Sequence, residues 1–357
     1  MRTFKTNCLP LLIGSLPIDS HAKAMELILQ HTPEIPLWPQ LPAFKEEGMI
    51  PQFIPGLPGL DECDSTLFVN TQSEVFDTDF LAFYEEYLTI TEGGGDLDGS
   101  RFVLTSETAK GFFDFLQQAR EARDGLVALK AQTTGPFTFA TGVVDQNNKA
   151  IFYNDQLRDA AIKLLALKAK WQIHKMNEIC PKTIMIFDEP AMAGFGSSAY
   201  ITISAEDIKS CFAEVFEAVQ SEGAVAGVHV CANTEWSILF EAGADLVSFD
   251  AYSYFDKFIL YPEQLKKFFS EGGILACGII PTTPEFIDRE DASSLTAKWL
   301  GQLEQLESLG ISREQVLSQT LITPSCGTGS ISMEYADRVM TLTSEVSANI
   351  RRQFSLG

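Results

Sequence analysis

Eight short apolar runs, most of them followed by a helical period, constrain this chain more than any other feature. The runs are LLIGS (11–15), RFVLTS (101–106), LVALKAQTTG (126–135), TIMIFDEP (183–190), AVAGVHVC (224–231), DLVSFDAY (245–252), GILACGIIP (273–281) and SQTLITPSCG (318–327). Short runs of this kind, bounded by Gly, Pro, Asp and Ser, read as buried strands. Between them lie DAAIKLLALKAKWQIHKMNEI, SAEDIKSCFAEVFEAVQSEG and SSLTAKWLGQLEQLESLG, the last two stopping at glycine as helices do. The helical SMEYADRVMTLTSEVSANIRRQF lies at the end of the chain. Strand–helix alternation repeated eight times predicts an α/β fold, a single (β/α)8 TIM barrel. A doubly wound open sheet would favour G-x-G-x-x-G after an early strand, and the GGG at 93–95 does not supply it.

One segment breaks the alternation. PEIPLWPQLPAFKEEGMIPQFIPGLPGLDE (33–62) is dense in proline and aromatics, and the apolar TLFVN after it suits a short hairpin with part of it. Residues 33–68 are therefore expected to form an irregular N-terminal excursion on one domain spanning 1–357. It packs as a loop over the barrel flank or serves as a lid near the mouth.

A net charge of −22 repels phosphate backbones and anionic lipid, which argues against nucleic-acid and membrane-surface partners. Seven cysteines, an odd count with no evident secretory signal, point to a reducing cytoplasm with thiols free for metal or catalysis. The N-terminal apolar patch is short, interrupted by Pro10 and Pro17, and lacks an A-x-A-like cleavage site. No run reaches the 18 or more apolar residues of a membrane-spanning helix.

In a (β/α)8 barrel, chemistry sits where strands end. The predicted strand ends carry Gly14 and Ser15, Ser106 and Glu107, Thr134 and Gly135, Asp188 and Glu189, His229 and Cys231, Asp250, Gly278, and Cys326. His229 and Cys231 stand two apart, so in a strand both project from one face. Cys326 follows in the turn TPSCGTGS. An imidazole and two thiols on one rim are a ligand set for Zn2+. Asp250 is a candidate fourth ligand or an acceptor for His229, and equally a helix cap. His21 and His31 read as surface residues, His174 as a helix-face residue and Cys277 as core. No serine has an evident partner histidine, which argues against a Ser-His-Asp hydrolase.

The combination of IGS, TTGP, DEPA, H-x-C and SCG, in that order from Ile13 to Cys326, resembles the C-terminal catalytic barrel of cobalamin-independent methionine synthase. That barrel belongs to the superfamily of uroporphyrinogen decarboxylase and the corrinoid-dependent methyltransferases. The resemblance implies a methyltransferase with zinc held by His229, Cys231 and Cys326, the family's acidic ligand falling on Asp250. It also implies an amino-acid pocket for homocysteine or methionine. Ile13, Gly14 and Ser15 would bind the carboxylate, and Glu107 and Asp188 the ammonium group.

Two features depart from the family's pattern. The family has glutamate where Asp250 stands, and its folate-using members carry a second, N-terminal barrel for which 357 residues leave no room. The chain looks most like the short single-barrel core methionine synthases, whose expected methyl donor is a methylcorrinoid, carried free or on a methylated corrinoid protein as partner, with folate the alternative donor. HVCANTEW also resembles the corrinoid-protein:coenzyme M methyltransferases, and a metal-free decarboxylase of the uroporphyrinogen type is the third reading.

Overall fold

The computed structural model describes residues 4–64 and 66–356. Its strands are β1 (Leu60–Cys63), β2 (Thr66–Val69), β3 (Leu129–Thr134), β4 (Thr183–Asp188), β5 (Val225–Val230), β6 (Leu246–Phe249), β7 (Ile274–Ile280) and β8 (Thr320–Pro324). The first two form an antiparallel hairpin, as TLFVN suggested. The other six form one parallel sheet in sequential order, β3 to β8, and each lies inside a run expected to be a strand. Helices link successive strands, as parallel pairing demands.

The eight-stranded expectation needs correction at its N-terminal quarter. Residues 101–106 are turn and loop, not a strand. Beside β3 runs part of the Pro-rich segment instead: Val127 N–H donates to the Glu34 carbonyl (2.7 Å), Lys130 N–H to that of Pro36 (3.0 Å), and Leu37 bridges Lys130. The segment 33–68 is thus not wholly an excursion. At the other edge, Pro10 bridges Ile322 of β8, and Leu11 N–H donates to the Ile322 carbonyl (2.9 Å). These two edge segments meet at one bridge, Ser15 to Gln40. Neither becomes a regular strand, because Pro10, Pro36 and Pro39 have no N–H to donate and interrupt any ladder.

Side-chain parity sorts the sheet into two faces. Met185, Phe187, Ala226, Val228, Val247, Phe249 and Cys277 belong to the large core shared with the helices. On the opposite face Ala128, Ile184, Ile186, Val225, Leu246, Ile274, Ala276 and Leu321 form a second apolar layer with Leu9, Leu11 and Ile35. Continuing that second parity toward the strand ends gives Lys130, Gln132, Thr134, Asp188, His229, Ser248 and Asp250. An apolar floor carries a polar layer above it, and the period of two places both.

Candidate metal centre and its surroundings

His229, Cys231 and Cys326 come together as the sequence predicted: their ligand atoms all lie within 4.8 Å of one another. Three residues from the ends of β5 and β8 converge because the second parity of β5 faces inward and the turn after β8 folds over it. His229 is buried, and its Nδ1 lies 2.9 Å from Oγ of Ser248, its register partner on β6. Its Nε2 is buried without a hydrogen-bond partner. Burial, reinforced by the charge of Lys130, pushes the imidazole down to about 3, so the ring is neutral at ordinary pH. The hydrogen bond between the two thiols pulls Cys231 down to about 7 and, with burial, pushes Cys326 up.

These residues fit zinc. A buried neutral imidazole with an orphaned nitrogen, beside two cysteine sulfurs, is a mixed N and S donor set with Ser248 supporting the ring from behind. Tetrahedral coordination holds such donor atoms about 3.5 Å apart, so side-chain rotation on the order of 1 Å closes the group. Asp250 does not join it. Its carboxylate accepts from Ser253 N–H (2.9 Å) and caps the helix Ala251–Phe258, the other role open to it.

The turn carrying Cys326 is stitched to the N-terminal segment. The Ser15 carbonyl accepts from Thr328 N–H and from its hydroxyl (both 3.1 Å), and Ser15 Oγ accepts from Gly329 N–H (3.2 Å). A Cβ at Gly327 would come 2.2 Å from Ser15 Oγ, so glycine is what lets the turns approach. Ile13, Gly14, Ser15, Cys326, Gly327 and Thr328 line a shared crevice.

Asp188 ends β4 in register with Thr134 and His229. Its Oδ1 is buried and unpartnered. Burial pushes this carboxyl up to about 6 while Lys130 pulls it back. The neighbouring Glu189 serves the fold. It accepts from Phe137 N–H (2.8 Å), Thr138 N–H (2.9 Å) and the Thr138 hydroxyl (2.7 Å), anchoring the helix Pro136–Gly142. A Cβ at Gly135 would lie 2.2 Å from Glu189 Cγ and Oε1. Gly135→Ala should therefore displace that carboxylate and lower stability by about 1–3 kcal/mol, read from the urea midpoint at unchanged slope.

Glu107 sits elsewhere. It is exposed on a turn and lines a groove of about 500 Å³ with Asp19, His21, Glu46, Glu47 and Lys110, whose lining includes neither Asp188 nor the three metal-ligand candidates. His21 and His31, expected at the surface, are buried. His21 Nε2 lies 2.6 Å from Glu47 Oε1, and His31 Nδ1 lies 3.3 Å from Ser344 Oγ. His174 is on a helix face against Glu222, and Cys277 is core. Lys130, Gln132 and Ser248 went unnoticed in the sequence. The available signal was polar character at positions sharing parity with Ala128 and Leu246.

No protein-family model and no curated protein matches the chain. Among solved structures it is similar to a B12-independent methionine synthase from Shewanella sp. W3-18-1 in complex with selenomethionine, at 16% identity and TM-score 0.45, over 68% of this chain and 67% of that one. It is likewise similar to the putative vitamin-B12 independent methionine synthase from Listeria monocytogenes, at 16% identity and TM-score 0.43, over 67% of this chain and 69% of that one.

Proposed function

We propose that this chain is a zinc-dependent methyltransferase that moves a methyl group from a methylcorrinoid or folate donor to the thiol of homocysteine, giving methionine. The observation that carries the reading is the convergence of buried His229, its Nε2 unpartnered, with half-buried Cys231 and Cys326, beside the unpartnered carboxylate oxygen of Asp188. The barrel architecture belongs to the same proposal: the bridges Pro10–Ile322, Ser15–Gln40 and Leu37–Lys130 would close the six-stranded sheet into a ring of eight.

His229, Cys231 and Cys326 would hold the metal. Zinc, when bound, supplies a positive charge that stabilises an acceptor thiol as thiolate near neutral pH. Ser248 keeps the His229 ring in one orientation. Asp188 offers its free oxygen to the substrate ammonium group. Ser15, whose Oγ already accepts from Gly329, retains its own proton to donate to the substrate carboxylate, with Ile13 and Gly14 shaping that end. Glu107, part of the same expectation, is the weaker partner for the ammonium group, since a charge screened by water attracts less. Coenzyme M has no ammonium group for Asp188 to receive, which favours the amino-acid thiol over that alternative. A protein carrying −22 suits a corrinoid donor better than a polyanionic polyglutamylated folate. Among the described residues no helix is long and apolar enough to cross a membrane.

Linked proton release tests the reading. A free thiol with pKa about 8.5 is roughly 3% ionised at pH 7, so homocysteine bound as thiolate should release close to one proton. Release should shrink as pH rises through the thiol's own pKa, because the ligand then arrives deprotonated. Calorimetry of the zinc-loaded protein in buffers of different ionisation enthalpy reads this number. Methionine, a thioether, is the control and should release almost none; equal release for both ligands removes the thiolate mechanism.

A further inference from the structure

The seven cysteines fall into three environments. Cys8, Cys180, Cys211 and Cys277 are core residues, each at most 5% exposed. Burial pushes the thiols of Cys8 and Cys211 up to about 12, which keeps them protonated and unreactive. Cys63 is exposed at the end of β1 on the hairpin. Cys231 and Cys326 differ from all of these: both are half-buried, and their sulfurs share a hydrogen bond within the group whose ligand atoms lie inside 4.8 Å. Neither residue belongs to a strand. Cys231 follows β5, which ends at Val230, and Cys326 follows β8, which ends at Pro324; each stands on a bend. Drawing the two sulfurs to a bonding distance of about 2 Å therefore breaks no sheet ladder. The turn that carries Cys326 is held on both sides, by Ser325 N–H donating to the Ile280 carbonyl (2.8 Å) and Thr328 N–H donating to that of Ser15 (3.1 Å). Main-chain bonds thus present one sulfur to the other without help from a metal.

We propose that Cys231 and Cys326 are an oxidation site: a hydroperoxide converts them to an intramolecular disulfide that excludes zinc and that a dithiol reverses. The exclusion of zinc rests on the metal reading above; the sulfur chemistry stands apart from it. One cysteine sulfur, as thiolate, attacks a peroxide oxygen, and the O–O bond breaks to give a sulfenic acid and water. The second sulfur attacks the sulfenic sulfur, the S–O bond breaks, and the departing hydroxide leaves as water with the second thiol's proton. Two thiols lose two electrons and two protons; hydrogen peroxide takes up both and ends as two water molecules. A disulfide offers a metal no thiolate, and His229 alone then remains of the three donors. Zinc and the disulfide therefore exclude each other. Bound metal shields the pair, and its loss exposes the pair to oxidant.

The zinc-loaded natural chain, treated with excess hydrogen peroxide, tests this directly. Zinc release is followed with a colour-forming chelator, and thiols are counted by alkylation in denaturant. Two thiols should disappear per zinc released, the count falling from seven to five. Proteolytic mapping without reductant should find one cross-linked peptide pair, carrying Cys231 and Cys326. Dithiothreitol should return all seven thiols and restore zinc binding. The chain stripped of zinc by a chelator should form the same cross-link faster, by roughly 10-fold or more, because free thiolate is the reacting species. Cys63→Ser should give the same cross-link, and Cys326→Ser should give none.

Three results would overturn the proposal: all seven thiols still titrating after peroxide, a cross-link to any other cysteine, or thiol loss to sulfinic acid with no cross-link. Equal rates with and without zinc would overturn the shielding. Mapping of the natural chain decides the matter even if neither variant folds. A reduced chain that forms the Cys231–Cys326 disulfide yet binds no zinc would overturn the metal reading instead and leave the oxidation site standing, so the two failures are told apart.

Discussion

His229→Ala and Cys326→Ser should each abolish stoichiometric zinc binding while the fold persists. Elemental analysis of the purified natural chain should find close to one zinc per chain and, in each variant, well under a tenth of that after dialysis. The expectation follows from the chemistry of the group: removing one of three ligands leaves two, too few for a structural or catalytic zinc site. Cys326→Ser keeps the shape and replaces a soft sulfur with a poorly ionising hydroxyl. His229→Ala removes the nitrogen that the structure leaves buried and unbonded. Ser248→Ala is the graded member of the series. It takes away only the contact at Nδ1, and losses of such supporting contacts weaken metal binding by about 10–100-fold. Asp250→Asn should leave zinc content nearly unchanged, because its carboxylate caps a helix through Oδ1 and lies outside the group of converging ligand atoms. Full occupancy in both ligand variants would dissolve the metal assignment, and zinc loss in Asp250→Asn would return that residue to the ligand set.

The second large effect concerns Asp188. Asp188→Asn should weaken homocysteine by about 2–5 kcal/mol, the cost of leaving one partner of a desolvated charge pair unmatched. That is roughly 30-fold to several-thousand-fold in affinity. A thiol without an amino group, such as 4-mercaptobutyrate or coenzyme M, should lose little. Glu107→Gln should have a much smaller effect on homocysteine, because that side chain lies exposed in a separate groove beside His21 and Lys110. Titration calorimetry of the two variants against the two classes of thiol separates the roles. If Asp188→Asn weakens both classes equally, its carboxylate is not reading the ammonium group. If Glu107→Gln proves the more damaging change, the ammonium site lies at the groove.

Much of the sheet was legible in the sequence because a parallel strand buried on both faces has to be a near-continuous apolar run. The six runs from 126 onward each contain a strand of the sheet, in order, and the hairpin after the Pro-rich segment formed where TLFVN placed it. The same logic failed at RFVLTS. That stretch is apolar and β-branched enough to read as a strand, yet local pattern carries no information about which edge of a sheet is already taken. Residues 34–37 took that place despite Pro33 before them and Pro36 within them, because bridging needs only a few main-chain groups, such as the carbonyls of Glu34 and Pro36. A run scored for strand propensity overlooks an extended, proline-interrupted segment that pairs through a few main-chain groups.

By itself the sequence determined the inward parity of β5, since residues two apart on a strand must share a face. His229 and Cys231 were therefore committed to one side before any tertiary contact formed. It also determined that Cys326 sits in a Gly-rich turn where two chain segments can approach closely. Tertiary structure alone decided which of the polar strand ends meet. The 95 residues between Cys231 and Cys326 set no distance between them; the folding of the β8 turn onto Ser15 did. Likewise Asp250 had a carboxylate suited to either metal or helix, and the helix Ala251–Phe258 begins at the point where its free N–H groups claim it. Lys130 is the sharpest instance. In sequence it is one charged residue among many, and its hydrogen-bond partner is the carbonyl of Ile13, 117 positions away, which only the folded sheet brings within reach.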